Sequence, residues 1–142
     1  MKIRTILATK GMKVITIQPD RTVQEAVGLL AQHNIGAMVV TEKDGHPVGV
    51  ISERDIVRAL AGEADALSRP VAEVMTRKVV VGSPGDDLKA VLKTMTEKRF
   101  RHLPVMEHGH LVGIVSIGDM VKAQVDQYRG EIETLETQMI GG

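Results

Sequence analysis

The sequence predicts an α/β (α+β) protein built from two copies of one unit, each a small sheet with two helices, packed about a pseudo-twofold axis. Three observations lead there. First, Gly49-Val50-Ile51-Ser52-Glu53-Arg54-Asp55 recurs sixty-four residues later as Gly113-Ile114-Val115-Ser116-Ile117-Gly118-Asp119. Second, Pro19, Val23, Val27, Leu30, Met38 and Val40 align with Pro84, Leu88, Leu92, Met95, Leu103 and Val105 at an offset of sixty-five, so the second copy is one residue shorter in the turn before its glycine. Third, the strands are short and aliphatic, and a lone copy would leave one sheet face uncovered, which pairing the copies corrects.

The elements follow in order. Val14, Ile15 and Ile17 read as a short strand ended by Pro19, and Thr22-Val23-Gln24-Glu25 as a capping box opening a helix with Val23, Ala26, Val27 and Leu30 on its apolar face. Gly36 leads into a strand from Ala37 to Thr41, and Glu42-Lys43-Asp44-Gly45 turns it into a hairpin partner from Pro47 to Ile51. A second helix starts at Ser52. The second copy repeats the order with Val79 to Val81, a helix capped by Asp86 or Asp87, Leu103 to Met106, the turn His108-Gly109-His110, and Leu111 to Val115. Each copy has a lead-in, Ile3 to Leu7 and Val71 to Thr76. The expected division is a first repeat over 1–62 with its lead-in, a linker over 63–70, a second repeat over 71–122 and a helical tail over 123–142.

Composition narrows the function. The 142 residues are 43% apolar, which suits a globular chain, and there is no cysteine for a disulfide, thiolate site or thiol nucleophile. Eighteen basic residues balance eighteen acidic ones, so no global field attracts nucleic acid, and the run Lys98, Arg99, Arg101, His102 is too short to make such a surface. No apolar stretch has bilayer length and Met1 to Met12 has no secretory apolar core, so a cytoplasmic protein with no nucleic-acid or membrane partner is expected. No catalytic signature stands out, and no enzyme is expected.

The polar content of the repeat is Ser-x-x-Asp. It has two readings. Where a strand gives way to a helix, Ser is a good N-cap and a carboxylate suits the first turn. Against a mere cap, a capping box prefers the longer Glu or Gln at the fourth position, and a glycine three residues before each Ser allows close backbone approach by a ligand. A hydroxyl and a carboxylate one turn apart at an open helix N-terminus also suit a ribose diol.

With these residues the chain resembles a tandem pair of CBS (cystathionine β-synthase) domains, a Bateman module, over nearly its whole length. It is similar in particular to stand-alone plant organellar and bacterial two-repeat members, through Gln32-His33-Asn34-Ile35-Gly36-Ala37, Arg101-His102 and Val115-Ser116-Ile117-Gly118-Asp119. The family's apolar-Pro-Val strand stands as Leu103-Pro104-Val105, while the first copy reads Met38-Val39-Val40 without the proline. The resemblance implies that Ser52 with Asp55, and Ser116 with Asp119, bind the ribose of an adenosyl ligand. AMP is the leading ligand, with ADP, ATP, NAD or S-adenosylmethionine open, and there is no catalytic cofactor. It also implies a homodimer and a regulated target that is a separate protein.

With only Phe100 and Tyr128 as aromatics, an adenine slot must be aliphatic: Ile15, Ile17 and Met38 are candidates for one site and Val80, Val81 and Leu103 for the other, with simple core burial as the competing reading. Family members meet phosphate with basic residues at the places of Arg54, Arg101 and His102; solvated surface charge is the alternative. Their counterparts Gly118, Gly36 and Ala37 are uncharged, which makes the two sites unequal. His108 and His110, with only Glu107 beside them, lack the ligands for a metal site, and His33 and His46 carry less signal still. Beyond Asp119, Val121, Val125, Tyr128, Ile132, Leu135 and Met139 recur in steps of four and three, a heptad seam interrupted by Gly130 that packs in cis, across a dimer or on a partner. The resulting expectation is a regulatory adenine-nucleotide module; the alternative is a structural dimerisation module with empty sites.

Overall fold

The symmetry of the two repeats is written in backbone hydrogen bonds between each lead-in and the opposite repeat. In the computed structural model, which describes residues 1–11 and 14–141 with side chains through residue 139, the Ile3 and Arg4 N–H groups donate to the Asp86 and Pro84 carbonyls at 2.9 Å each. The Val71 and Ala72 N–H groups make the matching bonds to Arg21 and Pro19, at 2.7 and 3.0 Å. Reciprocally, Leu88 donates to Met1 and Val23 to Arg69, each at 2.9 Å. Each lead-in therefore caps the first helix of the repeat it does not precede. Residues that precede the first repeat in the chain therefore pack with the second.

The elements are α1 (Ile3–Lys10), β1 (Thr16–Ile17), α2 (Val23–His33), β2 (Ala37–Thr41), β3 (Pro47–Ser52), α3 (Glu53–Gly62), α4 (Val71–Val74), α5 (Leu88–Lys98), β4 (His102–Glu107), β5 (His110–Ser116) and α6 (Ile117–Gly141). In the first sheet β1 pairs parallel to β2, and β2 antiparallel to β3 with Met38 opposite Ile51. The second sheet is the β4–β5 hairpin, with Leu103 opposite Val115. Mixed α/β architecture with two small sheets is the class the sequence predicts. The strand expected over Val79 to Val81 is reduced to one parallel bridge, Gly82 to Val105, the counterpart of Ile17 beside Val40. A Cβ at Gly82 would lie 2.5 Å from Leu103 Cδ2, so the strand there is pressed against the core and carries no side chain.

Two apolar cores result. One joins Val23, Leu30, Met38 and Ile51 to Val71 and Met75 of the second lead-in; the other joins Leu88, Met95, Leu103 and Val115 to Ile3 and Leu7 of the first. Gly49 and Gly113 are explained by this exchange. A Cβ on Gly49 would lie 2.6 Å from Met75 Sδ and 2.9 Å from the Thr76 carbonyl oxygen, and one on Gly113 would lie 2.6 Å from Leu7 Cδ2. The repeated glycine thus admits the exchanged lead-in, and Gly113 also lines the cavity that holds Ser116 and Asp119.

The expected linker is ordered as well, because Ala66 is fully buried in a 3-10 turn over Ala66–Ser68 and Arg69 binds Glu63 and Glu73 at 2.8 Å each. The boundary expected at residue 122 falls inside α6, which runs on without a break through Gly130. Met120 anchors its first turns in the second core, and beyond them Tyr128, Ile132, Leu135 and Met139 are exposed. Among the described residues no helix is long and apolar enough to cross a membrane.

Candidate functional site

Both Ser-x-x-Asp motifs form reciprocal capping boxes. The Asp55 N–H donates to Ser52 Oγ at 3.2 Å while Asp55 Oδ2 accepts from the Ser52 N–H at 2.9 Å; the Asp119 N–H donates to Ser116 Oγ at 3.0 Å while Asp119 Oδ2 accepts from the Ser116 N–H at 2.9 Å. The shorter Asp therefore does reach back, which overturns the argument that its length tells against a cap. Capping and ligand binding are nonetheless compatible, because each carboxylate keeps acceptor capacity beyond the cap.

Each motif opens on a cavity whose other walls come from the opposite repeat. Ser116 and Asp119 line a cavity of about 730 Å³ that also takes in Lys10, Ile15, His33, Gly36 and His102. Ser52 and Asp55 line one of about 480 Å³ with Arg54, Thr76, Val80, Arg101 and His102. Both volumes lie in the range of small-molecule sites, roughly 300 to 1,000 Å³. The expected adenine residues separate here. Ile15 and Val80 each line a cavity, whereas Ile17, Met38 and Leu103 are 5% exposed or less within the cores and line neither. Val81 is exposed and also lines neither. Ile17 lies within β1 beside Val40, whereas Ile15 precedes the strand and is only partly buried.

The three expected phosphate residues, Arg54, Arg101 and His102, all stand at the smaller cavity, and His102 with Gly36 forms a wall common to both. Burial lowers the His102 imidazole below its ordinary range; Asp119 and Asp55 pull the other way, while Lys10 and Arg101 add to the lowering. It is a neutral donor and acceptor between two cavities.

Sequence reasoning missed Lys10. Its Nζ donates to Asp119 Oδ2 at 2.7 Å and to the Ile114 carbonyl at 2.8 Å. Burial of Asp119 opposes ionisation, yet the Lys10 ammonium and the Ser116 N–H and hydroxyl outweigh it and hold the carboxyl below the ordinary carboxylate range. The available signal was positional, because α1 ends on a lysine just before Gly11 and Ile15, which line the cavity. At the other motif Thr76 Oγ1 donates to Asp55 Oδ1 at 3.1 Å and Ser52 Oγ to Asp55 Oδ2 at 2.9 Å, so both Asp55 oxygens are engaged. Among the described residues no group of three or more His, Cys, Asp or Glu side chains is placed to hold a metal ion.

Fold and site together define a two-repeat module with a cleft at each junction between repeats. The chain belongs to the CBS domain family, whose CBS domain pattern matches residues 3–62 and 71–126. The crystal structure of the CBS-domain containing protein ATU1752 from Agrobacterium tumefaciens is similar with a TM-score of 0.83 and 44% identity, covering 87% of this chain and 99% of that one. The mitochondrial CBS domain-containing protein CBSX3 of Arabidopsis thaliana is 35% identical over 128 residues, 87% of this chain but 62% of the plant protein. The CBS domain pair of protein MJ0100, solved in complex with 5′-methylthioadenosine and S-adenosyl-L-methionine, superposes with a TM-score of 0.79 at 26% identity, covering 89% and 98% of the two chains.

Proposed function

We propose that this chain is a non-catalytic regulatory module that binds adenosyl nucleotides in its two inter-repeat cavities and acts on a separate protein. The observation that carries the reading is the construction of the cavities: each takes its Ser and Asp from one repeat and its apolar wall, Ile15 or Val80, from the segment leading into the other half. A bound ligand then touches both repeats, and any arrangement of the repeats that it fits better is favoured by the difference in affinity. The ligands of the MJ0100 pair support an adenosyl class for this chain. AMP is the leading candidate, followed by ADP, ATP, NAD and S-adenosylmethionine. The module works as a homodimer, and α6, rooted in the second core by Met120, carries the change outward.

Calorimetry and thermal shift with this ligand set test the reading. A ligand at a hundredfold excess over its dissociation constant adds about 2.7 kcal/mol of stability. Asp119→Ala and Asp55→Ala each abolish one site at a cost of about 0.3 to 1 kcal/mol for the lost helix-end carboxylate. The alternative, a structural dimerisation module, draws on the capping boxes, in which Ser52 and Asp55 are already mutually satisfied. A flat melting temperature with every adenosyl ligand, and silent calorimetry, would establish it.

A further inference from the structure

The two cavities differ in charge and in how much of each Ser–Asp pair is available. Five cationic side chains line the smaller one, Arg54, Arg58, Lys78, Arg99 and Arg101, against two carboxylates, Glu53 and Asp55. None of the five forms an ion pair within 4.0 Å among the described residues, although other cations of the chain do. They converge where α3 begins, so the positive end of a ten-residue helix adds to the same potential. Among the described residues that line the larger cavity Lys10 is the one Lys or Arg, and it is paired with Asp119.

Backbone conformation points the same way. Arg99 sits at φ 57°, ψ 44° as the C-cap of α5, the left-handed position where glycine or asparagine is usual. Its counterpart at the end of α2 is Asn34, with φ 52° and ψ 50°. A long cation is kept at a strained position, and it lines the cavity.

The sugar-reading groups are reversed in availability. Asp55 has both oxygens engaged by Ser52 and Thr76, whereas Asp119 uses only Oδ2, and its Oδ1 has no partner among the described residues. The difference lies in Thr76, whose hydroxyl takes up the second Asp55 oxygen.

We infer that the cavity of Ser52 and Asp55 is a polyphosphate site that takes a nucleoside di- or triphosphate, while the cavity of Ser116 and Asp119 reads the sugar of an adenosyl compound that lacks a polyphosphate chain. The inference deepens the nucleotide reading above and rests on it for the adenosyl part. Arg58, Lys78 and Arg99 join Arg54 and Arg101 as phosphate contacts. Lys10 acts as a positioning residue that holds Asp119 ionised with Oδ1 turned to the ligand.

The experiment is calorimetry of the full chain with ATP, inorganic tripolyphosphate and adenosine. Tripolyphosphate is expected to compete with ATP, and adenosine to bind without displacing it. The triple variant Arg58→Ala, Lys78→Ala, Arg99→Asn should lose at least a hundredfold in ATP affinity while adenosine stays within twofold. All three side chains are exposed, and Asn suits the left-handed position, so the fold is retained. Lys10→Met should do the reverse, weakening adenosine and sparing ATP. Unchanged ATP affinity in the triple variant, or displacement of ATP by adenosine mole for mole, overturns the inference while leaving the adenosyl reading intact. Tripolyphosphate binding that the triple variant loses, in a protein that ignores every nucleoside, would instead uphold the polyphosphate site and defeat the adenosyl reading.

Discussion

Lys10 and Asp119, 109 positions apart in the chain, meet at 2.7 Å across the wall of the larger cavity. The contact ties the first lead-in to the motif of the second repeat, so a side chain from the start of the chain helps lower the pKa of a carboxyl in the second motif.

The pair has a pH signature. Asp119 titrates below its ordinary value, so its contribution to stability is present above the unfolded carboxylate pKa of about 3.9 and is lost as pH falls through the lower folded value. Both side chains are partly exposed, which limits the pair to about 1 kcal/mol or less. Urea denaturation of Lys10→Met should show that deficit at pH 7, closing toward zero in acid. A deficit that persists at pH 2 would assign the role of Lys10 to packing.

His102 gives the second prediction. Its imidazole titrates below the ordinary value of about 6.5, so the neutral ring favours the fold above that pH, and stability declines as pH falls from there through the folded value. A phosphate beside the ring reverses this preference. Nucleotide binding should therefore take up protons and tighten from pH 8 to pH 6, read as a buffer-dependent heat in calorimetry. Zero uptake would place the phosphate away from His102.

The exchanged lead-ins make the two motif glycines unequal. Gly49→Ala drives a methyl into Met75 Sδ and a backbone carbonyl, whereas Gly113→Ala meets only the end of the Leu7 side chain, which can rotate. Overpacking of this kind costs about 1 to 3 kcal/mol, with Gly49→Ala at the upper end and Gly113→Ala at the lower. Equal denaturation midpoints for the two variants would contradict the packing described.

The exposed stripe on α6, from Val125 at 41% to Met139 at 83%, yields the last prediction. Truncation after Lys122 removes the stripe and keeps Met120 in the core, so the fold should survive and the dimer weaken, as light scattering at micromolar concentration would show. A wild-type monomer under those conditions sinks the dimer; unchanged mass and stability after truncation would mean that the stripe serves another protein.

Much of the fold was legible because its signals are local. The repeat, the N-cap at Thr22 and the order of helices and strands follow from spacing and capping chemistry within a few residues, and the observed elements keep that order. Ile17, Met38 and Leu103 were misplaced for a related reason. Aliphatic character marks a residue for burial without saying whether the burying surface is core or ligand slot. Val79 to Val81 matched a strand by composition, but the ladder there shrinks to the bridge at Gly82, where Leu103 leaves no room for a side chain.

By itself the sequence determined the duplication, the position of each Ser-x-x-Asp at a strand-to-helix junction and the unequal charge of the two copies, since each is a property of neighbouring residues. Tertiary structure alone decided that the lead-ins exchange, that Ile15 faces Ser116 and Asp119 while Val80 faces Ser52 and Asp55, that Lys10 holds Asp119, and that His102 stands between both cavities. Such contacts join segments well separated in the chain, 25 positions for Asp55 and Val80 and 109 for Lys10 and Asp119. They arise from burying two sheets at once, and a partner brought in by burial leaves no period or cap in the local sequence that could announce it.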